Sequence, residues 1–220
     1  MLGKIRGPTS GQGGVRLDMG VFHANFTVIQ VGANDGKTGD PIYHFCRARA
    51  TRAVMIEPQP WLIDTLKANY AGSNNVIVEN VAIGHPDDKE LSFWTLKREY
   101  WADYEKNVGR SPTEIFSTVK HQLVNRIATR LKLDLTAAEN TVEAINVPFH
   151  TLEQIVDKHG LVDLDFLQID CEGYDFRVMQ TLGETCRRVR FKVMRCRNKR
   201  VMPLAVRGPA NRHPIRRWRG

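Results

Sequence analysis

The 220-residue sequence is poor in cysteine, with four in all and no CxxC pair. Cys46, Cys171, Cys186 and Cys196 stand apart, and no histidine cluster lies at zinc-finger spacing, which argues against a structural zinc site. Long apolar runs are missing too; none approaches the roughly 20 residues that a membrane helix needs. Met1 to Gly14 is glycine-rich and lacks the apolar segment of a secretory signal. A soluble, cytoplasmic protein with reduced thiols is therefore expected. Carboxylates are scarce in one place: from Gly183 to Gly220, Glu184 stands alone beside 13 Lys+Arg. That segment carries +12 and leaves −4 on residues 1–182, so the overall +8 belongs to one end. An acidic body with a basic end, where Trp218 is the only aromatic apart from Phe191, argues against a nucleic-acid partner, because stacking platforms are missing.

What remains is enough to fold: 42% of residues are hydrophobic and 25% charged. Residues 26–31 (FTVIQV) are an apolar, β-branched run ending at a glycine turn, the pattern of a buried strand. Asp40-Pro41 supplies an N-cap and a first-turn proline for a helix to about Ala48. Residues 53–56 (AVMI) give a second strand ending at Glu57-Pro58. Pro60 then opens a helix whose Leu62, Leu66 and Tyr70 share one face. Residues 75–81 are a third strand. This alternation predicts a mostly parallel sheet with helices on both faces.

Between residues 85 and 150 the rhythm breaks. Residues 91–94 read as an extra strand and 145–149 as another. Ser111 to Glu114 reads as a capping box that starts a helix marked by Ile115, Val119, Leu123, Ile127 and Leu131. Thr151 to Gln154 is a second capping box. Residues 164–170 restore the parallel pattern, followed by a helix from about Tyr174 to Leu182. The expected division is a domain over 1–182, with an insertion at about 96–146, and a basic tail over 183–220. In that tail one strand is expected near 189–194, with irregular chain beyond Cys196.

Three motifs carry chemistry. Gln30-Val31-Gly32-Ala33-Asn34-Asp35-Gly36 lies where the first strand meets the first helix, at the sheet edge that binds ligands in doubly wound folds. A dinucleotide fingerprint needs GxGxxG to seat a pyrophosphate. Here Asn34 takes the second glycine's place and Gly36 comes too early, which speaks against a nicotinamide dehydrogenase. S-adenosylmethionine has no phosphate, and the looser turn favours it. Glu57 ends the second strand about 20 residues on, where a carboxylate accepts from both ribose hydroxyls. Asn80, Val81 and Ala82 end the third strand, where they would border the adenine. Finally, residues 168–175 (QIDCEGYD) cluster three carboxylates at the end of the fourth strand. Asp170 suits the cofactor's amino group, Glu172 suits an acceptor base or hydroxyl-orienting group, and Asp175 reads as a helix cap. Carboxylates this close also suit a divalent metal, but the sequence offers no further ligand and none is expected.

Together VIQVGANDGKTGDP, MIEPQPWLIDTLKANYAG, ENVAIG, VPFHTLEQIV and LQIDCEGYD resemble the FkbM-type methyltransferases, from about Phe26 to Leu182 and in that family's order. The resemblance implies a Rossmann-like class I methyltransferase sheet and S-adenosylmethionine as cofactor. It implies O-methylation of a hydroxyl on a small-molecule or glycan acceptor, a sugar or natural product. By it Gln30, Gly32, Asn34, Asp35, Gly36, Glu57 and Asp170 fall on cofactor positions, joined by their neighbours Ala33, Pro58, Asn80, Val81 and Ala82. Asp170 and Glu172 are the catalytic candidates, and Cys171 stands where the family usually has valine. His44, Tyr100, His121 and His150 are further proton-handling candidates, each equally readable as a surface or structural residue. Trp94, Tyr100, Trp101, Tyr104 and Phe116 either cover the acceptor or form a satellite core. Two other readings stand beside this one: a non-catalytic binding module, and a nucleic-acid methyltransferase whose basic tail contacts phosphates. A seven-stranded methyltransferase sheet requires three strands after the fourth. The tail shows at most one, so it reads either as a C-terminus replaced through a frameshift or as a real extension.

Overall fold

The computed structural model describes residues 26–48, 52–87, 92–161, 164–171, 174–182, 191–195 and 201–205. Strand β1 (Thr27–Val31), helix α1 (Tyr43–Ala48), β2 (Arg52–Ile56), α2 (Ile63–Asn69) and β3 (Val76–Glu79) follow the alternation that apolar periodicity predicts. β4 (Ala82–Ile83) precedes an inserted unit of β5 (Phe93–Leu96), α3 (Trp101–Val108), β6 (Phe116–Ser117), α4 (Lys120–Leu131), α5 (Leu135–Asn140) and β7 (Val142–Ile145). The chain then returns through β8 (Phe149–His150), α6 (Leu152–Lys158), β9 (Phe166–Ile169), α7 (Asp175–Gln180), β10 (Phe191–Arg195) and β11 (Val201–Ala205).

The main sheet runs β11-β10-β9-β1-β2-β3 and is parallel except for β11, which pairs antiparallel with β10. Its order reverses between β1 and β9, and in such sheets the carboxyl ends at the reversal open a crevice. Alternation along β1 divides the core in two. Ile29 and Val31 pack with Ile56 and Leu167 against Leu152 and Ile155 of α6 and Val178 of α7. Val28 packs with Met55 and Phe166 on the other face, against Phe45 of α1 and Leu66 of α2. Strands buried on both faces by helices make this a Rossmann-like α/β fold. The inserted unit has its own core, in which Leu96, Tyr104, Ile115, Leu123 and Ile127 are fully buried.

Three expectations are corrected. Ser111 caps only a single 3-10 turn, Pro112–Glu114, and α4 begins at Lys120. Sheet pairing prevails there: Phe116 and Ser117 join Thr95 and Trp94, and the Thr95 hydroxyl donates to the Ile115 carbonyl. Residues 145–149 are not one strand either. Pro148, which has no N–H to donate, separates β7 from β8, and its carbonyl accepts from Ala82 N at 2.8 Å. Beyond Cys196 the chain is not irregular throughout, because β11 forms the sheet edge. Pro203 is tolerated there, since one side of an edge strand has no ladder to serve. β10 and β11 supply two strands after the fourth, so the strand count no longer supports a foreign C-terminus starting at residue 183.

The second capping box stands as read. Thr151 Oγ1 accepts from Gln154 N at 3.1 Å, and Thr151 N donates to Gln154 Oε1 at 2.8 Å. Thr151→Ala is expected to cost about 1 kcal/mol. For a chain of this size that is a fall of roughly 2–4 °C in melting temperature, measurable by circular dichroism.

Candidate functional site

The turn after β1 is held from both sides. Gly32 N and Ala33 N donate to the Ile56 carbonyl at 2.9 and 3.0 Å, and Asp170 N donates to the Val31 carbonyl at 2.9 Å. Gly32 has φ +79, and a Cβ on it would lie 2.2 Å from the Asp170 carbonyl oxygen. Only glycine fits where β1 and β9 approach this closely. Asn34 is also left-handed, at φ 53, a conformation that Asn tolerates better than most residues. Its side chain accepts from Asp35 N at 2.8 Å.

Glu57 lies directly behind this turn and is 1% exposed. Its Oε2 accepts from Asn34 N at 2.8 Å, while Oε1 accepts from Gln59 N and Nε2 at 3.0 and 3.1 Å. Burial pushes the carboxyl above its ordinary range, against the hydrogen bonds from Gln59 and Asn34 that pull it down. Asn80 braces the same corner: its Nδ2 donates to the carbonyls of Glu57 and Pro58 at 2.9 and 3.1 Å.

A cavity of about 320 Å³ opens at the crevice. Gly32, Pro58, Val81, Ala82 and Asp170 line it, so five residues singled out in the sequence converge on one space. Others are placed differently. Gln30 points to the opposite face of β1, where its Nε2 donates to Asp40 Oδ2 at 3.0 Å. Ala33 is buried in the core beneath α1 and α2. Gly36 lies so close to α2 that a Cβ on it would meet the side chains of Leu66 and of the C-cap Tyr70. Asp35 organises its own loop by accepting from Lys37 N, Thr38 N and the Thr38 hydroxyl. Burial raises its pKa, but these bonds outweigh that effect and leave it below the ordinary value. Glu172 lies outside the described residues. The neighbouring Cys171 faces the cavity, and burial beside Asp175 and Asp170 pushes its thiol well up, so it stays protonated rather than nucleophilic.

The far wall comes from the inserted unit, through Phe93, Phe116, Ser117, Val119, Gln122 and Arg126. Of the aromatic set read from the sequence, Phe116 reaches the cavity, whereas Tyr104 is core and Trp94, Tyr100 and Trp101 pack around that core. His44, Tyr100, His121 and His150 do not line it. Gln122 and Arg126 escaped the sequence reading; their one signal is a polar stripe beside the apolar face of α4. Among the described residues no helix is long and apolar enough to cross a membrane, and no three His, Cys, Asp or Glu side chains are grouped for a metal.

The donor set fits S-adenosylmethionine. Ribose hydroxyls and the amino group are donors; the cavity offers the Asp170 carboxylate at the end of β9, while Glu57 at the end of β2 lies buried behind the turn and outside the lining. Pro58, Val81 and Ala82 supply apolar wall for an adenine. Oε2 of Glu57 accepts one bond from Asn34 and has a lone pair left for another.

A family model described as the methyltransferase FkbM domain matches residues 30–206. A solved structure, that of YjhP from E. coli, is 10% identical and covers 75% of this chain and 79% of its own, with a TM-score of 0.23 that carries no weight here. No curated protein matches the chain. The family match takes in the glycine turn, Glu57, the inserted unit and Asp170, and runs on through β11 instead of stopping at Leu182. The chain therefore belongs to the FkbM methyltransferase domain family and is a methyltransferase.

Proposed function

We propose that this methyltransferase uses S-adenosylmethionine to methylate a hydroxyl oxygen on a small-molecule or glycan acceptor. The observation that carries the reading is the convergence of Gly32, Pro58, Val81, Ala82 and Asp170 on one cavity at the strand-order reversal. When bound, the cofactor supplies an electrophilic methyl group on a sulfonium, and its transfer to the acceptor oxygen leaves a neutral thioether. The residues of the chain do the rest. Glu57 accepts from ribose hydroxyls and holds the Gly32–Asn34 turn in place. Asp170 accepts from the amino group at one end of the cavity. The acceptor proton passes to a carboxylate at the end of β9, Asp170 or Glu172, as the oxygen–carbon bond forms. Aligning acceptor and methyl within a walled cavity supplies much of the acceleration.

Calorimetric titration with S-adenosylmethionine tests the cofactor, and a screen of hydroxylated acceptors with methyl-labelled cofactor tests the transfer. Saturable 1:1 binding and label on oxygen are expected. Absence of binding would remove the cofactor assignment. Label recovered on nitrogen or carbon would remove O-methylation while leaving the family intact.

A further inference from the structure

We infer that the acceptor carries an anionic group, a carboxylate or phosphate, and that Arg126 binds it at the wall of the cavity. This rests on the reading of the cavity as the place where the acceptor meets the cofactor.

α4 presents two faces. Leu123, Val124, Ile127 and Ala128 pack into the core of the inserted unit. Val119, Gln122 and Arg126, spaced i, i+3 and i+7, line the cavity instead. Among the described lining residues Arg126 is the one cation and Asp170 the one anion. They stand on different walls, one on the inserted unit and the other at the end of β9. A hydroxyl presented to the end of β9 and an anion held by Arg126 would then be contacted from different walls of one cavity.

The guanidinium is positioned as well as placed: its Nη2 donates to the Phe116 carbonyl at 3.3 Å. The nearby Lys120 is directed elsewhere, pairing with Glu139 at 2.7 Å and lying 4.9 Å from the centre of the Trp94 ring. The basic character of α4 thus reaches the cavity through one side chain. A planar guanidinium fork matches carboxylate and phosphate oxygens, and surroundings such as Phe93, Phe116 and Val119 weaken solvent screening of that contact. Phe93 is itself stacked on Phe149 at 5.6 Å, which gives the apolar part of an acceptor a rigid ring to rest on.

The test loads the protein with S-adenosylhomocysteine and titrates it with benzoate, phenyl phosphate and the neutral isostere benzamide, followed by NMR shift changes. At least one of the two anions is expected to bind roughly tenfold or more tightly than benzamide. Whichever it is distinguishes a carboxylate acceptor from a phosphorylated one. Arg126→Gln is expected to erase the preference and Arg126→Lys to keep part of it, both with unchanged affinity for S-adenosylhomocysteine. Matching melting curves for both variants guard against unfolding, and Arg126→Lys carries the comparison if Arg126→Gln fails to fold. Equal binding of all three probes, no binding of any, or a preference that survives both substitutions overturns the inference. If S-adenosylhomocysteine itself does not bind, the cofactor assignment fails, and the same titrations on the unloaded protein still read the role of Arg126.

Discussion

Gly32→Ala is expected to lower the melting temperature by about 6–12 °C and to abolish cofactor binding. Two costs add. The left-handed backbone at φ +79 disfavours any side chain by about 1–2 kcal/mol. The new Cβ would also meet the Asp170 carbonyl oxygen at 2.2 Å, a backbone atom that cannot rotate away. Relief requires β1 and β9 to part where Asp170 N bonds to the Val31 carbonyl, and that displaces Asp170 from the cavity. The total, about 3 kcal/mol, is a large share of the 5–15 kcal/mol that ordinarily separates folded from unfolded chains. Gly39→Ala is the control: its φ is +69, yet nothing lies within 4 Å of the added carbon. A small loss of stability there, beside a large one at Gly32, isolates the steric clash from the backbone strain. Equal losses at the two positions would mean that the close approach of β1 to β9 contributes nothing.

Glu57→Gln is expected to weaken S-adenosylmethionine binding by roughly 10- to 150-fold, the cost of one charge-assisted hydrogen bond. The substitution is nearly isosteric, so packing is preserved and the effect is chemical. A carboxylate accepts at both oxygens, whereas an amide must turn its NH₂ toward Asn34 N or toward the two Gln59 donors. Either choice leaves a buried donor facing another donor and loosens the Gly32–Asn34 turn. The same carboxyl sets a pH dependence. Because burial raises its pKa in the folded state, the ionised form costs folding stability, fully so once pH lies above the raised value. Stability of the cofactor-free protein should therefore fall as pH rises from the ordinary carboxyl range through that raised pKa. Cofactor affinity should run the opposite way, rising as Glu57 ionises and becomes a full acceptor. Calorimetry across acidic to neutral pH checks both slopes, and in Glu57→Gln both should flatten.

The central sheet was legible because its strands are simple. Val28, Ile29, Val54 and Leu167 are buried on both faces, and such strands read as continuous apolar runs between turn residues. The Thr151 cap was legible for a related reason, since both partners lie within three positions of each other. Ser111 misled because its local signal is just as good, but Ile115 is claimed by the Thr95 hydroxyl and by the pairing of β6 with β5. β11 was missed because Pro203 and the surrounding arginines hide an edge strand whose partner is β10. At the cavity, glycine spacing and strand ends marked Gly32, Pro58, Val81, Ala82 and Asp170, which line it together. Spacing did not reveal that Gln30 and Asp35 serve Asp40 and Thr38. The far wall of the cavity was largely invisible, because Arg126 reaches it only through the packing of an inserted unit with its own core.

The pairing of β1 with β9 also governs how the molecule comes into being. Thr27 N bonds to Asp165 Oδ2 at 3.0 Å across 138 positions of sequence. During synthesis β1 and β2 can pair early, and the inserted unit can collapse on its local contacts. The strand that closes the crevice emerges last of these. Closing a loop of that length carries its entropy cost before any contact across it forms, the mark of a slow, high-contact-order step. Until it happens β1 has an open edge, and Gly32 has no Asp170 to meet. On the proposed function, cofactor bound beside Gly32 and Asp170 should act as a late clasp on the fold as well as a reagent.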